Sequence, residues 1–390
     1  MTDNAHPDIL CFSSSDWYGI WGSRQQVMTR FARRGYRVLF VERQAGLEHL
    51  WRYPDLRRRK ARRWREGLHV ITENVWAVSP PPLLPGRYYA TTINRINQWF
   101  VRHGVRRYLK KLRFEEPILW LYKPEQSALI GQFGERLSIY HCIDEFSVGT
   151  RGRKRHIIQA LEADLLRRVD LVFANSRLTY ENKCQLNLNT HRVPSGADVD
   201  HFAQAMDPQI PSHPAIANIP HPIAGFIGNI AKRIDIPFLA RVIEKLPDWH
   251  FVFVGGYYPH LVDLSPLTKF SNVHLLGKHP FHALPSLAKE MDIFLFPYVN
   301  DERARYRSPL KLYEYLAAGR PVVSTRHPEV QEMEDVVEIA ATPDEFVAKL
   351  RSALLNDNFE QQQRRLAVAR QNSWDSRVDK MEHLLCQASG

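Results

Sequence analysis

The chain has 390 residues, 44% hydrophobic and 24% charged, enough for two domains of roughly 150–200 residues and too many for one ordinary core. Its formal net charge is +11, no apolar run nears the roughly 18 residues that span a bilayer, and MTDNAHPDILCF has no basic region before an apolar stretch, so no secretory signal is expected. Cys11, Cys142, Cys184 and Cys386 lie far apart without a CxxC pair, which argues against a zinc site or disulfide framework and fits a reducing cytosol.

Short apolar runs alternate with amphipathic stretches, the pattern of an α/β protein with largely parallel sheets. In the first half, strands are predicted at 9–12, 37–41, 68–71, 75–78, 118–122, 138–141 and 171–174. Helices lie between most of them, for example at 23–34 and 157–168. Residues 207–222 (DPQIPSHPAIANIPHP) read as a linker, because proline removes donors and disfavours helix. The pattern then restarts with strands at 224–228, 251–255, 273–276, 293–297 and 321–324, and helices near 343–355 and 359–370. The expectation is two doubly wound, Rossmann-like domains, 1–205 and 206–373, facing across a cleft with ligand at the carboxyl ends of the strands.

The charge is uneven. Residues 1–203 hold 33 lysines and arginines against 20 acidic residues, a net of +13, whereas the remainder nets −2. The excess concentrates at 52–65, 102–113 and 151–155, with Trp51, Trp64, Trp99, Phe100 and Tyr108 interleaved with the first two. Basic residues mixed with aromatics suit an anionic membrane surface, where each contributes about 1 kcal/mol. Nucleic-acid phosphates would suit them as well, but no nucleic-acid motif accompanies the charge, so no nucleic acid is expected. Solvated helix faces are the plain alternative.

Residues 308–324 (SPLKLYEYLAAGRPVVS) carry the strongest local signal. Ser308 and Pro309 suit an N-cap and a first helical position, the helix runs on to Ala318, and Gly319 ends it. A helix N-terminus favours anions. Lys311 in the first turn opposes the dipole unless an anion binds nearby, and Glu314, one turn on, can accept hydrogen bonds from ribose hydroxyls. A surface helix with solvated Lys311 and Glu314 is the alternative. Residues 140–147 (YHCIDEFS) end a predicted strand and bring His141, Asp144 and Glu145 to the expected cleft, where a base can deprotonate a hydroxyl; Asp144 as a simple cap is the structural alternative. In 13–24 (SSSDWYGIWGSR), Gly19 and Gly22 permit close backbone approach before a helix that starts near Ser23.

The segment 309–325 (PLKLYEYLAAGRPVVST) resembles the C-terminal-domain signature of GT-B glycosyltransferases that use nucleotide-diphospho sugars. The likeness extends in order through 193–202 (VPSGADVDHF), 226–235 (FIGNIAKRID), 296–298 (FPY) and 372–385 (NSWDSRVDKMEHLL). It implies that Glu314 binds the ribose and Lys311 the phosphates or sugar, with Ser308, Pro309 and Leu310 alongside. It also implies that Lys232 or Arg233 meets the diphosphate and that Tyr298 lies near the donor. By the same likeness, the 13–24 loop faces acceptor and diphosphate, placing Asp16 and Trp17 against an acceptor sugar, and a last helix at about 374–390 crosses back to the first domain. Retaining members have two glutamates eight positions apart, and the first falls at Tyr306, with Asp301 and Glu302 close by. The chain is therefore more similar to bacterial exopolysaccharide transferases of the xanthan-assembly glucuronosyltransferase type, a likeness that makes Asp144 the base.

What the resemblance implies is transfer of a sugar from a nucleotide-diphospho-sugar co-substrate, UDP favoured, to a hydroxyl of a lipid-linked or surface-polysaccharide glycan. The reaction is expected to invert and to need no metal or other cofactor, in the cytoplasm at the inner face of the membrane. Two rivals are a GT-B-fold nucleotide-sugar 2-epimerase and a non-catalytic basic protein that binds nucleic acid or membrane. Asp198-Val199-Asp200 spells the D-x-D of metal-dependent transferases but falls at the expected interdomain turn, and the 17 histidines show no HExxH spacing. Neither a Walker GxxxxGK[ST] nor a convincing GxGxxG occurs.

Overall fold

The computed structural model describes residues 6–18 and 21–389. They form two compact units, residues 1–194 with 378–390, and residues 195–377. The boundary precedes the expected 205/206, and the proline-rich 207–222 lies inside the second unit. The reason is packing: Phe202, Ala205 and Ile216 are buried in the second unit's core, and Ala197 exchanges backbone hydrogen bonds with Asn372 and Trp374 at 3.0 Å each.

The first unit holds β1 (Ile9–Phe12), β2 (Val38–Val41), β3 (Leu68–Thr72), β4 (Val75–Val78), β5 (Ile118–Leu121), β6 (Leu137–Cys142), β7 (Leu171–Ala174) and β8 (Thr190–Arg192). They form one sheet in the order β3-β4-β2-β1-β5-β6-β7-β8. Every neighbouring pair is parallel except β3 with β4. Runs such as VLFV and ILWL are buried throughout, because helices cover both faces of a parallel sheet. One face sets Leu10, Phe12, Leu39 and Leu119 against Val101, Val105 and Leu109 of the helix Thr91–Leu112. On the other, Trp120 meets Phe31 of the helix Ser23–Arg33 and Phe173 of β7, each at 5.5 Å between ring centroids.

The second unit holds β9 (Ile223–Ile227), β10 (His250–Val254), β11 (Val273–Gly277), β12 (Ile293–Phe296), β13 (Val322–Thr325) and β14 (Glu338–Ala340). Their order is β11-β10-β9-β12-β13-β14, all parallel. Strand order reverses between β1 and β5 in one sheet and between β9 and β12 in the other. At such points the connections leave to opposite faces and open a crevice at the carboxyl ends. The last helix, Trp374–Ser389, joins the first unit from Val378 onward, where Asp379 and Glu382 each hold Arg34 at 2.6 Å.

Candidate functional site

In the second unit the helix Leu310–Ala317 starts at the carboxyl edge of the sheet. Pro309, not Ser308, takes the N-cap position; the Ser308 hydroxyl instead accepts the Ser195 N–H at 3.0 Å. Lys311 Nζ lies 2.7 Å from Glu314 Oε2, with 23% and 8% of the two side chains exposed. The cation opposing the dipole is thus neutralised one turn further on. The lysine stem runs over Gly228, where an added Cβ would stand 3.4 Å from Lys311 Cε.

Tyr315 fixes the strand end beneath this pair. Its hydroxyl accepts the Ile227 N–H and donates to the Ile227 carbonyl, both at 3.0 Å. Pairing between β9 and β12 reaches only Gly225, so Tyr315 supplies partners that the ladder does not, as buried backbone groups require. Burial first, then Tyr298, pushes this hydroxyl well above its usual pKa. Gly255 lets β10 close in: a Cβ there would meet the Gly228 carbonyl oxygen at 1.9 Å.

The loop after β9 docks on the loop after β12, with Asp235 N–H donating to the Pro297 carbonyl and Val299 N–H to the Arg233 carbonyl, both at 2.8 Å. That pairing sets the Arg233 guanidinium 5.6 Å over the Tyr298 ring, within cation–π range. Lys232 is exposed and has no hydrogen-bond or ion-pair partner among the described residues. Tyr306 is partly exposed, while Asp301 and Glu302 lie in solvent; Asp301 accepts the Ala304 N–H at 2.8 Å. Sequence reasoning passed over His327, which is buried against Phe296. Burial, then Arg307, lowers its pKa to about 4, so its imidazole is neutral at pH 7. Lys311 in the first turn of that helix and Lys232 and Arg233 on the loop after β9 are the cations available here to a diphosphate.

The first unit resolves the three candidate bases. Asp144 follows β6 with 56% of its side chain exposed, and Arg24 Nη2 stands 3.5 Å from its Oδ2. Arg24 is itself fixed by Ser14 Oγ at 2.8 Å; burial lowers its pKa and Asp144 partly offsets that. Glu145 is taken up elsewhere: Lys183 holds it and Glu162 at 2.7 Å each, and Ser147 donates to it at 2.9 Å. His141 is a core residue, stacked on Tyr122 at 5.0 Å and 2% exposed. Burial, then Arg24, lowers its pKa to about 3, so His141 is neutral in the core and Glu145 is held in an ion pair, while Asp144 is the most exposed of the three.

Asp16 and Trp17 are both engaged within the first unit. Asp16 lies 2.5 Å from Lys60 and 3.8 Å from Arg59. Trp17 is buried edge-on to Phe40 at 4.9 Å, and its backbone N–H donates to a Glu42 carboxylate oxygen at 3.1 Å. Burial raises the Glu42 carboxyl, but Lys60, Ser79 and Arg63 outweigh it and hold the pKa below the usual value. The network braces the loop, with Asp16 held by Lys60 and Trp17 in the core. Gly22 takes the N-cap position of the helix Ser23–Arg33; Gly19 lies outside the described residues. Tyr108, grouped by sequence with the surface aromatics, packs on the core instead. Asp198 holds the N-cap position of the short helix Val199–Ala203.

Comparison with known proteins places this geometry. Sucrose-phosphate synthase from Thermosynechococcus elongatus matches with a TM-score of 0.67 at 16% identity, covering 98% of this chain and 99% of that one. An E. coli trehalose-6-phosphate structure bound with UDP-2-fluoro glucose matches at 0.67 and 14%, covering 98% and 99%. HepE of Anabaena, in complex with UDP and glucose, matches at 0.65 and 13%, covering 98% and 100%. A Bacillus subtilis (strain 168) protein named putative teichuronic acid biosynthesis glycosyltransferase TuaH is 25% identical over 304 residues, 72% of this chain and 76% of that protein. The chain is a glycosyltransferase of the GT-B fold. Residues 221–356, most of its second unit, match the family described as glycosyl transferases group 1.

Proposed function

We propose that the protein transfers a sugar, with inversion and without a metal, from a UDP-sugar to a hydroxyl of a lipid-linked or surface-polysaccharide acceptor. The Lys311–Glu314 pair over Gly228 carries this reading. Glu314 Oε2 is engaged by Lys311, and its carboxylate is positioned to accept ribose hydroxyls once the lysine turns to phosphate. Lys311, with Lys232 and Arg233, offsets the charge that develops on the departing diphosphate, the task a divalent cation performs elsewhere. The UDP ligands in two neighbours of the same fold and the teichuronic acid biosynthesis in the name of the putative glycosyltransferase TuaH support the choice of donor and acceptor.

Asp144 is the general base. It is the exposed carboxylate at the end of β6, and Arg24 orients it. Tyr306, where retaining members place a glutamate, supports inversion. The test is turnover of a UDP-sugar with a lipid-linked glycan acceptor. Asp144→Asn should lose at least about a hundredfold in kcat and keep its UDP affinity; full activity would assign the base elsewhere.

The reading includes the inner face of the cytoplasmic membrane. Trp51, Trp64, Trp99 and Phe100 are exposed, among the basic residues of the helices Leu47–Arg52, Pro54–Glu66 and Thr91–Leu112. Lys60 and Arg63 are engaged by Asp16 and Glu42, whereas Arg52, Arg57, Arg58, Arg59, Arg62 and Arg65 are exposed, as are Arg95, Arg106, Arg107, Lys110 and Lys111. No helix among the described residues is long and apolar enough to cross a membrane. Co-sedimentation with anionic but not zwitterionic vesicles, weakened by salt, is the expected behaviour; indifference to lipid charge would remove this part.

A further inference from the structure

Arg43 follows β2 by two residues and lines a cavity of about 360 Å³ with His49, Tyr53, Asp55, Leu56 and Arg59. Its backbone is pinned, the N–H donating to the Ser15 carbonyl at 3.1 Å and the carbonyl accepting Lys60 Nζ at 3.1 Å. The guanidinium itself has no hydrogen-bond or ion-pair partner among the described residues. Arg59 is little better served: its carboxylate contact is Asp16 at 3.8 Å, and Asp16 is already engaged by Lys60 at 2.5 Å. Asp55 sits in the first turn of the helix Pro54–Glu66, where the dipole favours a carboxylate.

Arg43 has further charged neighbours outside the cavity lining. Burial lowers the pKa of Lys123, Glu125 offsets this, and Arg87 and Arg43 add their repulsion, so Arg43 stands in the field of two further cations. Glu125 is already committed to the Tyr88 hydroxyl at 2.7 Å, to Lys123 at 3.0 Å and to Arg87 at 3.8 Å. Cations in excess, one of them a guanidinium without a partner, face a space of small-molecule size. Tyr53, 49% exposed beside His49, adds an aromatic face to its wall.

We propose that this cavity is an acceptor subsite for an oxyanion, a phosphate or carboxylate borne by the acceptor sugar, with Arg43 as its anchor, Arg59 as second cation and Tyr53 as the stacking face. The inference rests on the reading of the first unit as the acceptor half. Guanidinium is the suitable group because its planar fork pairs two oxygens of one anion.

Titration calorimetry with methyl glucoside, methyl glucuronide and glucose 1-phosphate tests it on wild type, Arg43→Gln, Arg43→Lys and Lys311→Ala. Wild type should bind at least one charged sugar about tenfold or more tightly than methyl glucoside. Arg43→Gln should abolish that preference and Arg43→Lys keep part of it, as expected for losing a charge-assisted pair. Preference for the phosphate points to a phosphate-linked acceptor, and preference for the carboxylate to a uronic acid. Equal wild-type binding of all three sugars, or a preference that survives Arg43→Gln, overturns the proposal. A preference lost in Lys311→Ala but kept in Arg43→Gln puts the anion in the nucleotide grip and overturns it too. Should Arg43→Gln melt early, Arg59→Gln at its exposed position gives the same readout. UDP titrated in parallel judges the donor reading separately.

Discussion

Replacing Tyr315 with phenylalanine isolates one hydroxyl at the base of the nucleotide grip. The ring, stacked on Phe294 at 4.2 Å and nearly parallel to it, keeps its packing, while both Ile227 backbone groups lose a partner at 3.0 Å. The site is fully buried, so water does not replace the hydroxyl. Each net hydrogen bond contributes about 1 kcal/mol, and leaving a buried backbone group unpaired raises the cost, so a loss of about 2–3 kcal/mol is expected. For a unit of this size that lowers the melting temperature by roughly 4–12 °C. Scanning calorimetry of the full chain reads the shift, and UDP affinity should fall with it because Ile227 leads directly into Gly228 beneath Lys311. A variant that melts within about 1 °C of wild type and binds UDP equally would refute the role given to this hydroxyl.

Three further outcomes follow from the first unit. His141, held at about 3 by burial and Arg24, has a folded pKa below its unfolded value of about 6.5. Its contribution is therefore present at neutral pH and lost as pH falls through about 6.5 toward 3, at up to about 1.4 kcal/mol per pH unit. His141→Phe should remove about 2 kcal/mol of the fall in urea unfolding free energy between pH 7 and 5, and an unchanged pH slope would contradict the burial argument. Lys183→Met strands Glu145 and Glu162 and should cost about 3–5 kcal/mol, read as a lower denaturation midpoint, whereas Glu145→Gln should keep turnover within about threefold of wild type if the residue is structural.

The strands were legible because buried parallel strands are short unbroken apolar runs: Ile9–Phe12, Val75–Val78 and Leu171–Ala174 fall where the pattern places them. The segments Thr190–Arg192 and Glu338–Ala340 were missed because three mixed residues at a sheet edge carry no period. Lys311 and Glu314 could be paired from sequence because they share one helix face. Asp16 could not be placed, since its partner Lys60 lies 44 positions away, and polarity alone does not say whether a carboxylate is already paired. Tyr315 reads as one more apolar position of its helix, and its backbone partner is 88 positions distant. The same blindness hid the demand that Lys183 makes on Glu145 across 38 positions, which left three candidate bases where the structure exposes Asp144.

Calorimetric titration of UDP into wild type and Lys311→Ala, each first shown to melt as a folded protein, tests the nucleotide grip most directly. The account predicts that wild type binds UDP and that the variant binds at least about tenfold more weakly, the loss of a charge-assisted contact to phosphate. Equal affinity in the two proteins would contradict it.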